Sequence, residues 1–251
     1  MLRTCPGSIA VKQPKPQPFR CKNCGSEVEI WSDEATQPCP KCGKDVFREG
    51  MQSCIDWCKF AKECVGEEKY KKYGEMKSNL RKQALVEAME KYFERDTKRI
   101  DHAHAVIARA EEILKDTTKA DPNIVIAAAV FHDIGIKNAE LKYGSSAAEY
   151  QEIEGPPVTR EILAALGYEE SFIKEVCDIV GHHHHPRDEE SVNFDVLYDA
   201  DMLVNLAESQ ESRGVGKILS YLRHATFRTS AGRQIAFDRG LIGAETGDDA
   251  K

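Results

Sequence analysis

The sequence has no long hydrophobic run. No stretch of its 251 residues approaches the ~20 consecutive apolar positions of a membrane span. The opening MLRTCPGSIAVKQPKPQPFR also lacks an apolar core of leader-peptide length, so a cytoplasmic protein with no membrane partner is expected. Basic charge is in deficit: Lys and Arg number 35 against 42 Asp and Glu, for a net charge of −7. A duplex binder needs a broad basic face, so a nucleic-acid scaffold is not expected, although a local basic pocket for one phosphate remains open. No repeat of solenoid length occurs, and no strand run follows residue 77. Cysteine is nearly missing from most of the chain. Eight of nine fall before residue 65, and Cys177 stands alone afterwards.

Such polarisation reads as a cysteine-rich module on an ordinary domain, with the boundary placed between residues 68 and 69. Residues 1–20 carry four prolines and no periodicity, which suggests an extended arm. Cys21-x2-Cys24 and Cys39-x2-Cys42 follow, with Gly25 and Gly43 after the pairs and an alternating SEVEIWS between them. In a reducing compartment such pairs bind metal more readily than they form disulfides. Two knuckles of this spacing close a tetrahedral structural Zn site with no open position, a zinc-ribbon-like module. A thioredoxin-like redox pair would need a βαβ setting that the segment lacks. Cys54 and Cys58, four apart on an expected short helix, make a second set of four with Cys5 and Cys64. Zn is preferred there over an iron–sulfur cluster, because the spacing matches no ferredoxin run.

From Lys77 the character changes to amphipathic helices. Expected helices run from a Ser78 cap to about Arg95, from a Thr97 cap to about Lys115, from Asp121-Pro122 to Gly135, from Pro157 to Gly167, from Ser171 to His185, and over NFDVLYDADMLVNLAES. The Asp121 helix is apolar nearly all round and should be buried. His132, on its buried face, is followed at once by Asp133. His102 borders the apolar stripe of Val106 and Ile107, and Asp201 lies one turn from Leu197 and three residues before Val204. A lone helical histidine is more commonly a satisfied core residue, and a His-Asp pair alone says little. Here two imidazoles and two carboxylates converge from three helices on an apolar interior, where a divalent cation removes the cost of burying the charges. Mixed His and carboxylate ligands suit Mn, Fe, Co, Ni, Zn or Mg.

On RIDHAHAV, AAAVFHDIGI, IVGHHHHP and LYDADML, residues 79–240 resemble the HD superfamily of metal-dependent phosphohydrolases. The resemblance implies an all-α helical fold and a metal held by His102, His132, Asp133 and Asp201. It selects His102 over His104 and Asp201 over Asp199, which periodicity alone leaves open. Dinuclear members carry a histidine four residues before a glycine. That glycine is similar to Gly155, and Gln151 occupies the position, so a single tightly held metal is expected unless Glu152 or Glu154 substitutes. The HDxxED string of the guanosine-tetraphosphate hydrolases and a Gly-Tyr-Pro signature are both missing, and an oxygenase would need two irons.

The resulting expectation is an HD-type helical domain over residues 69–251 behind the ribbon module of residues 1–68. It would hydrolyse a phosphate ester of a small metabolite or nucleotide through metal-activated water. Asp133 would orient or deprotonate the water, and His183, extending the inward face of Ile173, Val176, Cys177 and Val180, would serve the leaving group. Lys137 and Arg99 are candidate phosphate contacts, as is the Arg-rich TFRTSAGRQIA. The rival reading is a non-catalytic nucleotide-binding or signalling protein whose cysteine head contacts a partner.

Overall fold

The computed structural model describes residues 13–21, 23–32, 34, 36–47, 58–211 and 226–242. Contacts divide the chain into two compact units, Met1–Leu80 and Arg81–Lys251. In the first unit, SEVEIWS becomes β2 (Glu27–Trp31), with Val28 and Ile30 buried and the alternate residues exposed, the period of a half-buried strand. It pairs antiparallel with β1 (Pro16–Arg20), placing Phe19 opposite Val28. A second hairpin joins β3 (Thr36–Pro38) to β4 (Asp45–Phe47). The core between them consists of Cys21, Val28, Ile30, Cys39 and Val46. So few apolar groups cannot hold a fold alone, which leaves the work to the four thiols.

The short helix α1 (Ala61–Val65) begins after Cys58. Cys5 and Cys54 lie outside the described residues. Helix α2 (Glu67–Phe93) starts well before the expected Ser78 cap. Its lead-in EEKYKKYGEMK is rich in Glu and Lys, has no proline and puts Glu67 and Glu68 in the first turn, so propensity extends it without an apolar stripe.

In the second unit, α3 (Thr97–Leu114) is capped by Asp96, which accepts from the Arg99 amide at 3.3 Å; Thr97 is already inside the helix. Helix α4 (Pro122–Phe131) begins as expected, with Asp121 accepting from the Asn123 amide at 2.8 Å, and is buried from Ile124 to Phe131. It stops before His132, so the His-Asp pair sits in the turn leading to α5 (Ile136–Tyr143). Helix α6 (Ala148–Ala165) corrects the expectation of a start at Pro157, because Pro156 and Pro157 lie inside it. Proline's fixed φ is helical. The two amides lost would have bonded the Glu152 and Ile153 carbonyls, and Ile153 faces solvent, which supplies the replacement. Helix α7 (Glu170–Val180) ends at Gly181, short of the expected His185. The four histidines therefore occupy a turn, where successive side chains can point four ways. Helices α8 (Val192–Glu211) and α9 (Ser230–Asp238) complete the described unit.

Helix α4 is the central rod, packed by α3, α7 and α8; α6 lies on α5 and α7, and α9 on α8 and α3. Where α5 begins, the backbone of Gly135 passes so near α6 that a Cβ there would stand 2.3 Å from the Gln151 carbonyl oxygen and 2.7 Å from the Gly155 amide nitrogen. That contact fixes the His-Asp turn against α6.

Candidate metal centre

His132 is almost wholly buried, and its Nδ1 lies 2.9 Å from the Ala129 carbonyl oxygen. His183 repeats the arrangement, with Nδ1 2.8 Å from the Val180 oxygen. A carbonyl only accepts, so each Nδ1 carries a proton and each ring turns its Nε2 inward; burial lowers the His183 pKa, but the Asp133 carboxylate beside it outweighs burial and raises it. Both Nε2 atoms are buried without a hydrogen-bond partner. What they face is negative: His132 Nε2 lies 3.5 Å from Asp133 Oδ2 and 3.7 Å from Asp201 Oδ1, and His183 Nε2 lies 3.6 Å from Asp133 Oδ1. At the neutral His132 ring a lone pair against carboxylates repels, and at both rings these distances are too long for good hydrogen bonds. They suit groups sharing a cation, since bonds of about 2.0–2.2 Å put ligand atoms roughly 3–4 Å apart.

Two groups result. His102, His132 and Asp201 can offer ligand atoms within 4.8 Å of one another, and so can Asp133, His183 and His184. His102 reaches Asp201 Oδ1 through Nε2 at 3.1 Å, and its Nδ1 meets Glu208 Oε1 at 3.0 Å, the carboxylate-to-imidazole contact that orients a ligating ring. Burial pulls the His102 pKa down, but the bond and charge of Asp201, then Glu208 and Asp133, outweigh it and push it up to about 9. At His132 burial wins and the ring is held neutral. Burial opposes ionisation of Asp133, yet the surrounding imidazoles of His132, His183 and His102 hold its carboxyl well below the usual range.

The alternatives left by periodicity separate in space. His104 faces outward to Glu90 at 2.9 Å. Asp199, two residues from Asp201 and so nearly opposite it on the helix, is wholly buried. It accepts from the Arg228 amide at 2.8 Å, the Thr229 amide at 2.7 Å and the Thr229 hydroxyl at 2.6 Å. Burial raises its pKa, and these bonds only partly offset the rise to about 6.

The four histidines divide similarly. His182 Nε2 meets Glu190 at 2.9 Å, and His185 Nδ1 meets Glu152 at 2.7 Å, while His183 and His184 turn inward. Glu152 also accepts from the His184 amide at 3.0 Å, and Glu154 binds Lys142 at 2.5 Å and the Tyr143 hydroxyl at 3.2 Å. Both glutamates thus have other partners, and neither belongs to the two candidate groups. Gln151 Oε1 lies 3.3 Å from His184 Nε2, and His184 is in the second group.

A cleft of about 310 Å³ opens on the groups, lined in part by His102, Asp133, His184 and Asp201. Lys137 does not line it. Its ammonium sits at 2.8 Å from the Tyr92 carbonyl oxygen, near the negative end of α2, and at 3.3 Å from Glu94. His183 is behind Asp133 and also does not line the cleft, because its Nδ1 bond turns the ring inward. Arg99 does line it but is tied to Asp96 and Glu140. In the Arg-rich stretch, Arg228 pairs with Asp195. Lys98, Asn205 and Glu208 were not foreseen. Their signal was available, since Asn205 and Glu208 stand four and seven residues beyond Asp201 on one helical face, and Lys98 stands four before His102.

Residues 99–216 match the family model of the HD domain. The matched span opens at Arg99 and closes beyond Glu208, so it holds both His-Asp groups and most of the cleft. The mostly helical second unit thus has the HD-domain fold, preceded by a small strand-bearing module with a close cysteine cluster. No curated protein and no solved structure gives a match to the chain.

In that module the thiols pair across the hairpins, Cys21 with Cys42 at 3.6 Å and Cys24 with Cys39 at 3.5 Å, and none is in a disulfide. The two knuckles are built alike. The Gly25 amide donates to the Cys21 carbonyl and the Gly43 amide to the Cys39 carbonyl, both at 2.8 Å, with the glycines at φ 71° and 72°. Only glycine takes that backbone without strain. The Ser26 hydroxyl and amide hold the Cys24 thiol down to about 6, a thiolate ready for a cation at neutral pH. Among the described residues no helix is long and apolar enough to cross a membrane.

Proposed function

We propose that the HD domain is a metal-dependent phosphohydrolase that cleaves a phosphate ester of a small molecule, and that the cysteine module is a structural zinc ribbon. The observation that carries the reading is the pair of buried Nε2 atoms that face carboxylates without a hydrogen-bond partner among the described residues, an arrangement that a divalent cation suits. His102, His132, Asp133 and Asp201 would hold it, and Asp133, His183 and His184 offer a second position. When bound, such a cation supplies Lewis acidity toward a phosphoryl oxygen and lowers the pKa of water. Asp133 reaches both the metal groups and the cleft, and its ionised carboxylate would accept a hydrogen bond from the attacking water and orient it. Glu208 fixes the His102 ring, and Glu152 and Glu190 clamp the histidine turn from outside. His183, which does not line the cleft, is better suited to holding a cation than to protonating a leaving group.

Phosphate release by the full-length protein, measured with Mn, Co, Ni, Zn and Mg over a range of phosphate esters, tests the proposal. Metal-dependent turnover abolished by Asp133→Asn is expected. Ligand binding without phosphate release under every metal would instead favour a non-catalytic signalling protein.

A further inference from the structure

The cleft is small. Its 310 Å³ lies at the lower end of the range of about 300–1,000 Å³ for ligand pockets, and part of it must take the phosphoryl group. What remains has room for one ring or a short chain. Among the described residues no Phe, Tyr or Trp lines it, and Ile136 is the single aliphatic side chain. Nucleobases are commonly held on an aromatic face or in an apolar slot, and the described lining offers neither. It does offer hydrogen-bonding groups in several directions. The Asn205 amide and the Ser146 hydroxyl have no hydrogen-bond partner among the described residues, and the Lys98 ammonium has no carboxylate partner among them. Glu208 adds a carboxylate beside His102. Amides and carboxylates bond vicinal hydroxyls well, while the Glu208 carboxylate repels a long polyanionic chain.

We infer that the substrate is a hydroxyl-rich phosphate monoester, a monosaccharide or polyol phosphate, and not a nucleotide. Asn205, Ser146 and Glu208 bond its hydroxyls, and Lys98 contacts its phosphate. The inference rests on the phosphohydrolase reading above. The test uses the full-length, metal-loaded protein with ribose 5-phosphate, glucose 6-phosphate and inositol monophosphate against AMP, dAMP and ATP, with p-nitrophenyl phosphate as reference. The best sugar or polyol phosphate should exceed the best nucleotide in kcat/KM by about a hundredfold or more, since a polar site left unpaired discriminates strongly. Lys98→Gln and Asn205→Leu should each raise KM for that substrate by about tenfold. Nucleotides cleaved as well or better, cleavage of p-nitrophenyl phosphate with the sugar phosphates untouched, or an unchanged KM in both variants would overturn the substrate class and leave the phosphohydrolase standing. If nothing at all is cleaved, the phosphohydrolase reading fails, and calorimetric titration with the same compounds decides the class. Binding of a sugar or polyol phosphate without nucleotide binding upholds it, and equal nucleotide binding or no sugar phosphate binding ends it.

Discussion

The centre depends on ring orientation at single residues. His132 and His183 are set by one backbone carbonyl each, and among the described residues nothing forms a hydrogen bond to their inner nitrogens. His132→Ala and Asp133→Ala are therefore expected to lose the metal of the helical unit and all turnover while the cysteine-bound metal stays. Elemental analysis of the purified full-length variants measures this, and unchanged metal content in both would refute the ligand assignment. His102 gives the pH dependence. Its pKa in the metal-free protein, about 9, exceeds the unfolded value of roughly 6.5. The stability it contributes is then complete below pH ~6.5 and disappears as pH rises through about 9. A cation competes with that proton, so metal affinity should climb about tenfold per pH unit up to pH ~9 and then level. Metal-free unfolding and metal titration between pH 6 and 10 should show the two opposite trends, and parallel trends would count against His102 as a ligand.

At the scale of elements, the closest tolerance is between the His-Asp turn and α6. Both atoms that a Gly135 Cβ would strike belong to backbone and cannot rotate aside. Gly135→Ala should cost about 3 kcal/mol, the upper range for overpacking, seen as a lower urea midpoint with an unchanged slope. A midpoint within error of the parent would mean α5 and α6 separate easily. The cysteine knuckles show the same dependence on a few atoms. Cys39→Ser should destabilise the first unit, seen as loss of one bound metal and faster proteolysis before residue 48, with phosphate release retained. Loss of turnover alongside the metal would make the head part of the active site.

For the whole molecule, the order His102, His132-Asp133, Asp201 and the polarised cysteines made the helical HD-type fold, the small cysteine-bearing module and the side chains that gather at the candidate centre legible in sequence, because those signals are spacing and composition. Less legible was whatever depended on where a helix stops. His184 was not separated from His183 while the run was read as helix; Gly181 turns it into a loop and sends both rings inward. The α6 start was hidden because Pro156 and Pro157 read as a boundary. Lys137 looked free in sequence, and only its approach to the Tyr92 carbonyl removes it from the cleft. The cleft's polar wall needed two helices in register, α3 carrying Lys98 and α8 carrying Asn205, which no single-helix pattern reports.

Asp199 and Asp201 make α8 a shaft with a fitting on each side. One carboxylate meets the metal groups, and the other holds the start of α9, where a Cβ on Gly232 would come within 2.5 Å of Asp199 Oδ2 and leaves no play. Two residues on a stiff helix cannot turn independently. A roll of α8 that moved Asp201 would therefore also move the anchorage of α9 on the opposite side of the shaft.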